Sequence, residues 1–429
     1  MPTPSLILVP ARFKTGKLYT PLATTSGDTV LGASGDFNVT RNTTATRVNA
    51  SGYIESVASG IPRLDYPLGG GCPALLVEPS AQNFARNVQF ITGQDTPAAS
   101  GGLTITTGST DFLAPDGTSG SITKYVGGVA SGSTQYAYFG GTGVTVTAAG
   151  QHTFSLFVKA GATNPLNFCA LQFTAYAGGS GTSTSYFSLA SGTALTSGAS
   201  IQNYGNGWYR IISAPYTIAS GDLAGTVLFC FAEANNDITW PASGALNLTA
   251  YIWGAQMEAG SVATSYIPTT TAAVTRNADV ISLSGAVSGC IGQTEGTIYW
   301  EGAINSIDRI FLSLTSGTSN SQVVRLQTTG AGLMQLIVLS GTIQANIGTS
   351  GAITLGQFYK VAVAYKENDF VFYLNGAQVG TDTSGTIPPA LTQIQFSNAG
   401  ATDLTNQRCR AVALYTTRLS DQELQALTT

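Results

Sequence analysis

The sequence predicts an all-β protein: two antiparallel β-sandwiches after an irregular N-terminal segment, with a short helix at the C-terminus. Three observations carry this. Apolar residues recur with a period of two along most of the chain, as in Phe154, Leu156, Val158 and Ala160 against Thr153, Ser155, Phe157 and Lys159. Runs rich in Gly, Ser, Thr and Asn separate these stretches, at the spacing of short strands joined by turns. Helix signals are confined to the last ten or so residues.

Composition agrees and excludes several functions. Only 9% of the 429 residues are charged, against a usual ~25%, while 51 are glycine. Apolar residues make up 43%, including 18 Tyr, 18 Phe and 4 Trp spread along the chain, so cores can be filled and disorder is not expected. The net charge is −4 and no Lys/Arg cluster occurs, which argues against nucleic acid and anionic membrane as partners. No run approaches the ~18 apolar residues of a membrane span, and the first ten residues lack the basic region of a signal peptide. The five cysteines, at 72, 169, 230, 290 and 409, show no Cys-x-x-Cys spacing and read as buried free thiols, although pairing of Cys169 with Cys230 stays open.

Residues 1–80 hold Arg12, Lys14, Lys17, Arg41, Arg47 and Arg63 but too few strand signals for a core of their own, so this segment is expected to pack against something else. Residues 81–275 form the first sandwich, with alternation over His152–Ala160, Trp208–Ile218 and Leu246–Trp253, and end in linker composition over Tyr266–Val274. Residues 276–429 form the second, with alternation over Thr297–Ile304, Val323–Leu339, Phe358–Tyr365 and Arg408–Tyr415. Phe370–Leu374 followed by Asn375-Gly376 predicts a hairpin, because a type I′ turn needs positive φ at both central residues. Ser420 with Glu423 three residues later forms a capping box and predicts a helix over Leu419–Leu427. Leu424 and Leu427 would then dock it on the last sheet.

Few residues offer chemistry. A jelly-roll glycan hydrolase needs two carboxylates flanking the scissile bond. Glu301 and Asp308 are seven apart and fall on opposite faces of an unbroken strand, whereas Glu233 and Asp237 are separated by the loop-like Asn235-Asn236. No enzymatic activity is expected. The lone His152 has no Cys, Asp or Glu beside it and reads as structural. Glu367-Asn368-Asp369 and Asn235-Asn236-Asp237 offer two or three oxygens each and read as solvated turns rather than calcium loops, so no cofactor is assigned. Trp208, Trp253 and Trp300 sit inside alternating strands and belong to cores. Trp240 lies in a loop beside Asn235, Asn236 and Asp237, where a ring and nearby polar groups could hold a sugar or simply cap the sandwich. Tyr136 and Tyr138 share one strand face and could serve a sugar or a neighbouring subunit.

The C-terminal block, through Gly296–Glu301, Phe358–Tyr365, Phe372–Gln378 and Arg410–Leu424, resembles the concanavalin A-like and laminin-G-like jelly rolls. The middle block, through Phe154–Ala160, Gly205–Arg210 and Tyr251–Gly260, resembles a carbohydrate-binding-module jelly roll. With Pro62–Tyr66 and Pro73–Pro79 before them and Ser265–Thr271 between them, the combination is similar to a family of tailed-bacteriophage and prophage virion proteins. The resemblance implies a surface fibre, spike or decoration protein, assembled in the bacterial cytoplasm and located in the virion. Its partners would be copies of itself, most simply in a trimer, other virion proteins, and a host surface glycan. Arg12, Lys14, Lys17, Arg41, Arg47 and Arg63 are then the expected attachment residues, and Trp240, Asn235, Asn236, Asp237, Tyr136 and Tyr138 the expected glycan contacts. A dedicated glycan-binding adhesin is the alternative, and a depolymerase the third.

Overall fold

The computed structural model describes residues 2–25, 27, 29–86, 98–100, 102–127, 132, 134–176, 181–239, 247–317 and 319–429. Among the described residues almost all regular structure is antiparallel strand, and the one α-helix is Asp421–Thr428.

In the first sandwich a six-stranded sheet runs in the order Ala98–Ser100, Tyr136–Thr145, Ala224–Ala232, Phe168–Tyr176, Gly181–Ser188, Thr193–Ala194. It faces a seven-stranded sheet built on Thr104–Ser109, Ile122–Gly127, Leu248–Ala259, Gly150–Ala160, Trp208–Ile212 and Ser200–Asn203. Inward-pointing Phe154, Leu156, Cys169, Leu171, Phe229 and Phe231 are fully buried between them. The second sandwich pairs two nine-stranded sheets. One is centred on Phe358–Lys366, Glu295–Ile304 and Gln407–Tyr415, the other on Val280–Ser284, Gln393–Gln395, Ile310–Thr315 and Gln322–Thr328. Trp300, Phe311, Val363 and Phe396 fill the space between.

The tryptophan, hairpin and helix expectations hold. Trp208, Trp253 and Trp300 are buried. Asn375 and Gly376 adopt φ of 47° and 80° and close a two-residue loop between Leu374 and Ala377. The Ser420 side chain accepts from the Glu423 N–H while the Glu423 carboxylate accepts from the Ser420 N–H.

Residues 1–80 differ from the irregular segment expected. Leu6–Leu8 pairs with Gln407–Tyr415, Phe37–Thr40 pairs with Val280–Ser284, and Ala74–Val77 also pairs with Gln407–Tyr415. The segment therefore contributes to both sheets of the second sandwich. These strands are two to four residues long, too short for a two-residue period to stand out.

The seven-stranded sheet differs in a second way. Ser155 and Phe157, on the face opposite Phe154 and Leu156, are also buried. Phe157 packs edge-on against Trp253 (ring centroids 5.2 Å), Tyr204 (4.8 Å) and Tyr266 (6.1 Å). The expected linker does not run free, because it folds back over this outer face with Tyr266 in the core and Ser265 bonded to Glu78.

The cysteines are all free; Cys169, Cys230, Cys290 and Cys409 are buried, but Cys72 is exposed, a correction to the buried-thiol expectation.

Candidate functional site

The expected attachment residues divide into three groups. Arg12 and Lys14 are exposed and Lys17 half-buried on the hairpin of Phe13–Lys14 and Lys17–Leu18, at the edge of a nine-stranded sheet. Positive side chains on an edge strand also discourage strand addition. Arg47 is half-buried and pairs with Glu55 at 2.7 Å. Arg41 and Arg63 are fully buried, so they present nothing at the surface, a correction to their expected role as attachment residues.

Their partners explain why. Arg41 Nη1 donates to Asp279 Oδ1 at 2.8 Å, and Arg63 grips both oxygens of the same carboxylate. Arg63 Nη1 also meets Glu78 Oε2 at 2.8 Å, and Arg276 Nη2 approaches the same oxygen at 3.4 Å. The Ser265 N–H and hydroxyl donate to Glu78 at 2.8 and 2.7 Å. Burial alone would raise the Glu78 carboxyl, but Arg276, Arg63 and the Ser265 hydrogen bonds hold it well below the usual carboxylate range. This cluster ties the N-terminal segment and the linker to the start of the second sandwich.

The expected glycan contacts come together only in part. Tyr136, Cys230, Ala170 and Tyr186 lie in one row across the outer face of the six-stranded sheet. Two half-buried tyrosines thus flank two small buried side chains, and Ile238 packs on the group. Ile238 belongs to the loop of Asn235, Asn236 and Asp237, all exposed, so the loop does border the tyrosine row. Asp237 Oδ1 accepts from the Thr239 N–H at 2.8 Å within its own turn. Trp240 and the Tyr138 side chain lie outside the described residues.

The other chemistry candidates find structural partners. His152 is buried with Nδ1 3.0 Å from the Gly150 carbonyl oxygen. Glu301 accepts from the Tyr299 hydroxyl at 3.0 Å and lies 3.8 Å from Arg410. Asp308 sits in a turn with φ of 60°. Asp369 is bound by Arg418 at 3.0 Å. Among the described residues no three His, Cys, Asp or Glu side chains gather as metal ligands.

Sequence reasoning missed the outer face of the seven-stranded sheet. Lys159 pairs in register with Trp208, Phe157 with Arg210, and Arg210 with Gln202, so Lys159, Trp208, Arg210 and Gln202 emerge on that face. The turn Gly205-Asn206-Gly207 places Tyr204 and Trp208. Asn206 and Gly207 take φ of 51° and 79°, and the Trp208 N–H donates to the Gly205 carbonyl at 2.8 Å. A cleft of about 350 Å³ opens here, walled by Tyr53, Phe112, Tyr204 and Trp208. Lys159 lies at its edge, with Nζ 4.0 Å from the Phe112 ring centroid and bonded to the Asn206 carbonyl. Burial lowers the Lys159 ammonium from its ordinary value. The Asn206-Gly207 pair between alternating runs was the sequence signal for this corner.

A second cleft, of about 340 Å³, lies between the sandwiches. Gln202, Tyr204 and Arg210 of the first face Asn305, Asn406 and Arg408 of the second across it. Arg408 is fixed by Asp65 at 2.7 Å. Arg210 is buried, donates to the Thr264 carbonyl and the Ser155 hydroxyl, and has no partner for Nε among the described residues.

Of the comparisons with known proteins, the family match falls on the second sandwich. No curated protein sequence matches the chain. Among solved structures, the CBM40 of the Ruminococcus gnavus IT-sialidase bound to alpha2,3 sialyllactose is similar at 17% identity and a TM-score of 0.29, over 32% of this chain and 84% of that one. NanB sialidase of Streptococcus pneumoniae is similar at 15% identity and 0.29, over 34% and 26%. A heptameric SAP-like pentraxin of Limulus polyphemus is similar at 13% and 0.26, over 32% and 70%. Residues 298–425 match the family model of the concanavalin A-like lectin/glucanases superfamily, and the two antiparallel sheets described above give this part of the chain a jelly-roll fold similar to that superfamily's.

Proposed function

We propose that this protein is a non-catalytic, surface-exposed structural component of a tailed-phage virion and that it binds a host glycan. The observation that carries glycan binding is the cleft of Tyr53, Phe112, Tyr204 and Trp208, with Lys159 and Asn206 on its rim. Sugar rings present apolar C–H faces to aromatic walls and hydroxyls to polar rims, and a concave site with a few convergent polar groups is the usual form of a small-ligand pocket. The lectin/glucanase family match of residues 298–425 supports the same class of ligand. The hairpin bearing Arg12, Lys14 and Lys17 is the proposed attachment surface, and the low charge of the chain favours close packing of copies in a trimer.

A printed array of bacterial capsular and O-chain polysaccharides tests the binding. The wild-type chain should retain at least one, and Phe112→Ala should weaken it tenfold or more. An array blank for the whole chain would refute glycan binding. Immunogold electron microscopy of particles, with light scattering of the purified chain, tests the virion and trimer parts. Absence of label from purified particles or a stable monomeric mass would overturn the respective part.

A further inference from the structure

We infer that the glycan is a linear chain lying in one continuous groove, from the aromatic cleft past Tyr204 into the cleft between the two sandwiches. This rests on the glycan-binding reading above and specifies its ligand. The two clefts share Tyr204, and their opposite wall steps from Tyr53 to the adjacent Ile54. Both lie on one face of the same sheet. The pairs Lys159 with Trp208, Phe157 with Arg210 and Ser155 with Ile212 succeed one another along that face. From the Lys159 row to the Ser155 row is four residues of strand, about 13 Å at ~3.3 Å per residue, longer than a single sugar ring.

The lining changes along this path in a way that selects the ligand. At one end the walls are the rings of Tyr53 and Phe112; at the other they are Gln202, Asn305, Asn406 and Arg408. An acyl chain or apolar peptide would meet amides and guanidinium groups past Tyr204. A nucleic acid needs a concentrated basic surface, and this chain has a net charge of −4 and no Lys/Arg cluster. A polyhydroxylated chain suits both ends, stacking where the walls are aromatic and hydrogen-bonding where they are polar. Arg210, its guanidinium 5.4 Å from the Phe157 ring centroid and bonded to Thr264 and Ser155, holds the wall of the second cleft in place. Because the second cleft is walled by both sandwiches, the groove is complete only when they are held together.

The test uses the full chain and size-graded oligosaccharides, from disaccharide to octasaccharide, cut from whichever polysaccharide scores on the array. Titration calorimetry should show affinity rising at least tenfold from disaccharide to hexasaccharide and then levelling. Gln202→Ala and Asn305→Ala should weaken hexasaccharide binding several-fold while leaving the disaccharide unchanged, whereas Phe112→Ala should weaken both. Melting temperatures equal to wild type would show that the variants fold. Equal affinity for disaccharide and hexasaccharide, or no effect of Gln202→Ala and Asn305→Ala at any length, would overturn the continuous groove and leave the glycan-binding reading standing. Absence of binding by the wild-type chain to every polysaccharide would remove both.

Discussion

Arg63 and Asp279, 216 residues apart in the chain, form a fully buried two-pronged ion pair in which Arg63 Nε and Nη2 each bind one carboxylate oxygen. Arg41 and Arg276 approach the same acid pair of Asp279 and Glu78, so three guanidinium groups share two carboxylates without water-exposed surface.

Such a cluster is weak evidence for net stabilisation, because desolvating five charges offsets much of their attraction. Removing one member is another matter. Asp279→Asn leaves Arg63 and Arg41 facing an uncharged amide, and a broken buried pair costs about 3–5 kcal/mol. The expected result is a large fall in the denaturant midpoint for Asp279→Asn. Glu55→Gln, which breaks the half-exposed pair with Arg47, should shift it by less than about 1 kcal/mol. Similar losses for both would contradict the burial of the cluster.

The same cluster has a defined acid response. Glu78 has a folded value below its ordinary 4.5. Its ionised form therefore contributes stability above about pH 4.5, and that contribution is lost as pH falls through the lower folded value. Denaturant midpoints of wild type and Glu78→Gln should differ by a constant amount between pH 7 and about 5. The gap should narrow only below about 4.5. A gap that closes already above pH 5 would mean that Arg63 and Arg276 do not hold the carboxyl down.

Legibility followed distance along the chain. The alternation around Trp300 and Phe154 and the Asn375-Gly376 and Ser420/Glu423 signals are local, and each forms the element expected of it. The ion cluster was not legible, since Arg41 and Arg63 read as surface attachment residues, Glu78, Arg276 and Asp279 carry no motif, and the five meet only across about 200 residues of chain. One local hint existed: Arg63 precedes Leu64 and Glu78 follows Leu75-Leu76-Val77, charges set against apolar strand residues. The groove was hidden for the same reason. Tyr53, Phe112, Lys159 and Tyr204 come from four separate stretches, and only the Asn206-Gly207 turn marked its corner.

Thiol chemistry should separate Cys72 from the other four cysteines. Burial pushes the Cys230 thiol up to about 12 and the Cys290 thiol up to about 11, and raises Cys169 and Cys409 as well. The thiolate is the reactive form, so these groups are shielded by both access and protonation. Iodoacetamide on the native chain at pH 8, read by intact-mass spectrometry, should add one label, located at Cys72 by peptide mapping. Denaturation under reducing conditions should allow five. Two or more labels on the native protein would show that a buried strand opens.

The C-terminal helix offers a comparison of two contributions within eight residues. Leu424 is fully buried and packs with Ala362, Val371, Tyr373, Tyr415 and Leu419 on the outer side of the sheet whose other face forms the main core. Ser420 works only on the helix end, accepting from the Glu423 N–H. Leu424→Ala removes packed methyl groups and leaves a cavity, an effect of about 2–5 kcal/mol. Ser420→Ala removes a cap, an effect of about 0.5–2 kcal/mol. Hydrogen exchange should divide them further. The cap variant frays only the first helical turn, whereas Leu424→Ala undocks the helix and exposes the Gly376 amide, which donates to the Thr428 hydroxyl at 3.1 Å. Faster exchange at Gly376 in the Leu424 variant alone is the expected pattern; equal acceleration in both would mean that the helix docks through its cap and not through its leucine face.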